Sequence, residues 1–172
     1  MLLYADNLLY RPTRTVHDYI RLQQDINSLD NWIQHKYLQF NVTKCKYMIV
    51  TRKRNPVAPL TPLSVNNLAV DKVNCFKYLG VWLSHNLTWN KHIEEICKSS
   101  TKQIGMIYRK FYQYSSQETL LHLYVTLIRT RLEYAAPVWD PSHHNLIHAV
   151  EKVQKFAIRM CFKSWSIYSL SS

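Results

Sequence analysis

The sequence predicts an α+β chain, with its strands gathered in the first half and helices filling the second. Three observations carry that reading. Between residues 38 and 83 short apolar runs are broken by asparagines and prolines, the punctuation of strands and turns. Around them, and again from Trp89 onward, apolar residues recur every three or four positions, the spacing of a helix face. Apolar residues make up 47% of 172, enough to exclude a disordered chain and to bury a core.

Taken in order, Met1 to Tyr10 reads as two apolar arms around Asp6-Asn7, a β-hairpin with an Asx turn. A hairpin opening at Met1 has no preceding element to cover it, which suggests a chain truncated at its start. Val16, Tyr19, Ile20, Gln23, Ile26, Leu29, Trp32 and Ile33 form a helix face, with Thr15 as N-cap and Asp18 in the first turn. Leu38 to Phe40 and Lys44 to Thr51 are expected to be extended on either side of Asn41. A polar, proline-broken loop follows from Arg52 to Pro62. Strands are then expected at Leu63 to Val65, Leu68 to Val70 after an Asn66-Asn67 turn, and Asn74 to Leu83.

Beyond a seam near residues 84–88 the chain reads as all-α. The first helix carries Trp89, Ile93, Ile96, Cys97, Ile104, Ile107, Tyr108 and Phe111, with Ser100 in the gap. Ser116 caps a second, with Leu120, Leu121, Tyr124, Leu127 and Ile128. After Pro137 and Pro141, a third carries Leu146, Val150, Val153, Ala157 and Met160. The expected organisation is therefore 1–85, 86–163 and a serine-rich disordered tail, 164–172.

Composition removes several chemistries. With only Gly80 and Gly105, the chain holds no GxGxxG dinucleotide loop, no GxxxxGK phosphate loop and no GxSxG nucleophile elbow. Cys45, Cys75, Cys97 and Cys161 form no CxxC pair, so free thiols in a reducing intracellular compartment are expected. His144 and His148 stand four apart, but no acidic or cysteine partner completes a zinc set, so no zinc site is expected. No apolar run is long enough for a membrane span.

Charge points the other way. Lys and Arg number 22 against 11 Asp and Glu, a net charge of +11, which attracts polyanions. Arg52, Lys53 and Arg54 form a basic run on the proline-broken loop. Lys98, Lys102, Arg109 and Lys110 line the polar side of the first C-terminal helix, where such spacing neutralises phosphates. A solvated polar face is the alternative for both groups. Asp6, at the tip of an apolar hairpin, offers the hard oxygen that Mg²⁺ prefers.

Four blocks together resemble one family. Tyr4-Ala5-Asp6-Asn7, followed by Leu8-Leu9-Tyr10, resembles the YADD hairpin of reverse transcriptases of non-LTR (LINE-type) retrotransposons. Leu38 to Lys46 resembles the family's LxxN…KxK stretch, Phe76-Lys77-Tyr78-Leu79-Gly80-Val81 its FKYLGV primer-grip strand pair, and Leu132 to Trp139 its LxYAxPVW stretch. The resemblance spans about residues 1–163 and implies the end of a right-hand polymerase palm followed by a helical thumb. It implies Asp6 as catalytic metal ligand, with Asn7 where the family has a second aspartate. It further implies Lys44 or Lys46 near the incoming nucleotide, and Phe76, Tyr78, Leu79 and Gly80 in the primer grip, where Gly80 permits a bulge or close backbone approach. Mg²⁺, an RNA template and a DNA primer are the implied cofactor and partners. Asn7 weakens the attraction for Mg²⁺, so the expectation is a reverse transcriptase fragment inactive on its own, or alternatively a non-catalytic nucleic-acid-binding module derived from one.

Overall fold

The computed structural model describes residues 9–55, 57–140 and 143–163. The expected hairpin tip and the 164–172 tail lie outside these. The chain separates into two compact units, Met1–Thr88 and Trp89–Ser172. It is α+β: one helix and six short strands in the first unit, helices alone in the second, among the described residues.

In the first unit, helix α1 (Val16–Gln34) opens on a capping box. The Asp18 carboxylate accepts the backbone N–H of Arg14 at 2.9 Å, that of Thr15 at 2.8 Å and the Thr15 hydroxyl at 2.9 Å. Those bonds favour the charged form and lower its pKa from 3.8 to about 2. The helix buries less of its apolar face than the spacing predicts. Tyr19 and Ile33 are buried, whereas Val16, Ile20 and Trp32 are exposed.

The strands are mostly two residues long. β1 (Lys46–Tyr47) runs parallel to β4 (Asp71–Lys72), with Lys46 opposite Asp71 and Tyr47 opposite Lys72. β2 (Ser64–Val65) and β3 (Leu68–Ala69) form an antiparallel hairpin turning at Asn66-Asn67, both at positive φ (50° and 60°), the type I′ geometry that asparagine tolerates. β5 (Cys75–Tyr78) and β6 (Val81–Ser84) form a second one.

Two expectations need correcting here. Leu38 to Phe40 is not a strand, and of Lys44 to Thr51 only β1 is; Val42–Lys44 closes a 3₁₀ turn instead. The Asn41 carbonyl takes the Lys44 N–H and the Val42 carbonyl the Cys45 N–H, both at 3.0 Å, so local bonds win over strand pairing. Asn74 to Leu83 is not one strand but a hairpin folded at Leu79-Gly80, with φ of 45° and 84°. Gly80 therefore serves a tight turn and not a bulge.

Helix α1 is tied to this small β assembly by side chains that replace strand pairing. The Gln23 amide makes a two-point bond to the β2 backbone, donating to the Ser64 carbonyl at 2.9 Å and accepting the Ser64 N–H at 3.0 Å. That explains a glutamine within an apolar face. The Tyr19 hydroxyl donates to the Val57 carbonyl at 2.7 Å. The buried Asp30 accepts from Gln34 at 3.0 Å and, with its amide turned to suit, from Asn66 at the β2–β3 turn.

In the second unit, α2 (Asn90–Phe111) packs against α6 (His144–Cys161) and against a rod running from Gln117 to Glu133. The rod starts as α3 (Gln117–Leu123), capped by the Ser116 hydroxyl, which accepts the Thr119 N–H at 3.2 Å. It widens into a π-helical stretch (Tyr124–Arg129) and closes as α4 (Thr130–Glu133). Leu120, Tyr124, Ile128 and Leu132 are buried on it at a strict four-residue spacing, while Leu121 and Leu127 stay exposed. On an α-helix four residues overshoot a full turn by about 40°, so a stripe of that period drifts off its face. The wider π turn holds it in line. Thr126 and Thr130 lie in and beside this stretch with their hydroxyls on the carbonyls of His122 (2.8 Å) and Thr126 (2.7 Å), bonds that bend helices.

The core closes with Ile104 and Ile107 of α2 and Ala157, Met160 and Cys161 of α6. Tyr108 and Phe111, expected on the buried stripe, are exposed. Between α4 and α6, Ala135 takes the left-handed conformation (φ 53°) and Pro137 sits in the first turn of α5 (Ala136–Trp139). Trp139 is buried, its indole N–H donating to the Tyr134 carbonyl at 2.6 Å, with the His92 ring tilted against it at 5.2 Å.

Two substitutions probe this packing. Gln23→Leu leaves the Ser64 backbone groups unpaired and should lower unfolding stability by about 1–3 kcal/mol; urea denaturation measures it against the wild type. Gly105 lies inside α2, where an added Cβ meets only the Arg109 guanidinium at 3.5 Å, an ordinary contact. Gly105→Ala should therefore raise stability by roughly 0.5–1 kcal/mol through helix propensity alone; a lower melting temperature in calorimetry would contradict it.

Candidate nucleic-acid interface

Asp6 and Asn7 lie outside the described residues. Of the two lysines expected near a nucleotide, Lys44 is exposed at the end of the 3₁₀ turn. Lys46 is committed to an ion pair, its Nζ 2.6 Å from the Asp71 carboxylate across β1 and β4. Phe76 and Tyr78 are half-buried on β5, with Leu79 and Gly80 exposed at the hairpin tip. Phe76 faces Leu83 and Tyr78 faces Val81 across the ladder. Leu79 holds a left-handed backbone that costs an L-residue about 1–2 kcal/mol.

Arg52, Lys53 and Arg54 are exposed on a loop anchored at its root. The Thr51 N–H donates to the His85 carbonyl at 2.8 Å, and the His85 N–H to the Asn74 carbonyl at 2.8 Å. The Thr51 hydroxyl accepts the Lys53 N–H at 3.0 Å. These bonds set the loop against the ends of β4, β5 and β6 and enclose a basin of about 330 Å³. It is lined by Ile49, Thr51, Arg52, Lys53, Arg54, Lys72, Asn74, His85 and Asn86. Local spacing does not mark Lys72, Asn74 and His85 as companions of the loop, because they are distant from it in sequence and only the β1–β4 pairing and the β5–β6 hairpin deliver them beside it.

On α2, Lys98, Lys102 and Arg109 are exposed and fall within roughly 40° of one another on a 3.6-residue helix, opposite Ile93, Ser100, Ile104 and Ile107. Lys110 is exposed as well, but is turned about 100° from that face. It does not belong to the same row.

Burial pushes the thiols of Cys45, Cys97 and Cys161 up, away from the reactive thiolate, despite Lys46 beside Cys45. Cys161 also points its thiol at the Leu120 carbonyl, at 3.4 Å in the core. Among the described residues no group of three or more His, Cys, Asp or Glu side chains is placed to hold a metal ion, and no helix is long and apolar enough to cross a membrane.

The chain is similar over 165 residues, at 24% identity, to the probable RNA-directed DNA polymerase from transposon X-element of Drosophila melanogaster. The match covers 91% of this chain. The chain spans 17% of the length of that curated relative. No family model matches the sequence, and no solved structure matches it. Three of the four blocks that resemble this reverse transcriptase family lie wholly within the described residues, as the 3₁₀ turn leading into β1, the β5–β6 hairpin, and the α4–α5 corner around Ala135.

If the α2 face meets phosphates, Lys98→Gln with Lys102→Gln should shallow the dependence of duplex affinity on salt by about 0.9 in log–log slope per lost contact. Lys110→Gln, off that row, should change it less. Fluorescence anisotropy across a salt series reads both.

Proposed function

We propose that this chain is the late-palm and thumb portion of a non-LTR retrotransposon reverse transcriptase, and that its own contribution is to hold primer and template. The observation that carries the reading is the similarity along nearly the whole chain to an RNA-directed DNA polymerase. The tight β5–β6 hairpin supports a primer-grip role for Phe76, Tyr78, Leu79 and Gly80, since it presents a rigid tip on a short ladder. The cationic row on α2 and the Arg52–Arg54 loop supply phosphate contacts. Lys44 is the better candidate for an incoming triphosphate, because Lys46 is neutralised by Asp71.

The reaction of the whole enzyme would be RNA-directed DNA synthesis from deoxynucleoside triphosphates. Mg²⁺, when bound in such an enzyme, activates the primer 3′-hydroxyl and steadies the leaving pyrophosphate. Asp6 and Asn7 fit that ion only in part: one carboxylate and one neutral amide oxygen, where a pair of ions calls for shared carboxylates. No chemical step is therefore assigned to this polypeptide alone.

A template-dependent primer extension assay tests the reading, with Mg²⁺ or Mn²⁺. The 172-residue polypeptide and its Asn7→Asp variant should both give no product. A chimera that adds the polypeptide preceding the matched segment in the fly relative, with Asn7→Asp, should extend the primer, and Asp6→Ala in that chimera should abolish extension. Robust synthesis by the 172-residue polypeptide, lost on Asp6→Ala, would overturn the proposed division of labour.

A further inference from the structure

We infer that the basin between the Arg52–Arg54 loop and the β-hairpin end is a binding site for the sugar–phosphate backbone of a nucleic acid, used without a metal ion. Its wall is built from three separate stretches of chain. Arg52, Lys53 and Arg54 come from the loop, Lys72 and Asn74 from the end of β4, and His85 from the end of β6. Such convergence is unlike a solvated basic run, whose charges spread apart into water.

Strand alternation sorts the local charges. Asp71 and Lys72 are neighbours on β4, so their side chains leave opposite faces. Asp71 is drawn to Lys46 on the adjacent strand, at 2.6 Å, which leaves Lys72 to the basin side with Tyr47 as its register partner. Among the described residues none that lines the basin is acidic. Four fixed positive charges in a concavity of about 330 Å³ therefore face no internal counter-ion.

The donor set also selects between anions. A nucleoside triphosphate is ordinarily held as its Mg²⁺ complex, which calls for a carboxylate on the protein. The basin offers guanidinium, ammonium, amide and imidazole groups, all suited to phosphodiester oxygens. Contacts of this kind carry no sequence preference. The loop root is fixed through the Thr51–His85–Asn74 chain of backbone bonds, so the cations are partly positioned before a ligand arrives.

This inference rests on the nucleic-acid reading of the chain, though not on polymerase activity. Its test uses the full chain, a single-stranded 20-mer oligonucleotide and, separately, ATP with Mg²⁺. Lys72→Gln and Arg54→Gln, each at an exposed position, should shallow the log–log salt slope for the oligonucleotide by about 0.7 apiece. Circular dichroism confirms that each variant folds. Acetylation footprinting by mass spectrometry provides an independent measure: the oligonucleotide should protect Lys53 and Lys72, while Mg²⁺–ATP at matched concentration should not. An unchanged slope and unprotected Lys72, in a chain that still binds the oligonucleotide, overturn the basin and leave the wider reading standing. Stronger protection by Mg²⁺–ATP than by the oligonucleotide overturns the backbone assignment in favour of a nucleotide. No oligonucleotide binding by the wild type overturns both the basin and the nucleic-acid reading beneath it.

Discussion

A two-residue strand exchanges too few ladder bonds to hold a sheet together, and the first unit has four such strands. Its architecture follows from how that deficit is met. Gln23 behaves as a substitute strand, giving and receiving a bond at Ser64, and Tyr19 and Asp30 fasten neighbouring loops to the same helix. The apolar contribution comes from a short list of side chains: Tyr19, Ile33, Leu63, Val65, Val70 and Val81 are buried among the described residues. Helix α1 is thus a scaffold through its polar groups as much as its apolar ones.

The second unit is organised by segregation of charge. Helix α2 gives one side to Ile104 and Ile107 and the opposite side to Lys98, Lys102 and Arg109. A helix that buries one stripe well is free to carry cations on the other, because repulsion among solvent-exposed charges is screened while burial is not. Core and cationic face are consequences of the same twenty-two residues.

Much of this was legible in the sequence. The α2 and α6 stripes, the Thr15 and Ser116 caps and the Asn66-Asn67 turn follow from local chemistry, and local rules decide them. The hairpin at Leu79-Gly80 was obscured in the local pattern because leucine at positive φ breaks the rule that marks such turns; only the family resemblance implied a strand pair there. The 3₁₀ turn at Val42 was hidden for a related reason: two short backbone bonds outcompete a pairing that no nearby strand offers. At the candidate interface the three adjacent cations stood out, whereas Lys72 and His85 did not. Their proximity to the loop is created by the parallel β1–β4 pair and the β5–β6 hairpin, and long-range pairing leaves no trace in local spacing.

The π-helical stretch from Tyr124 to Arg129 has an implication for how this region tolerates insertion and deletion. A π turn accommodates an additional residue in a rod that otherwise continues as α-helix. Removing any one residue there would rotate everything beyond it by about 100°. Ile128 and Leu132 would swing off the face they share with Leu120, and the corner at Ala135 that seats Trp139 would be misdirected with them. Replacing side chains on the exposed side, at Val125 or Leu127, disturbs none of this. Along these six residues it is the length of the chain, more than its chemistry, that natural variation has to preserve.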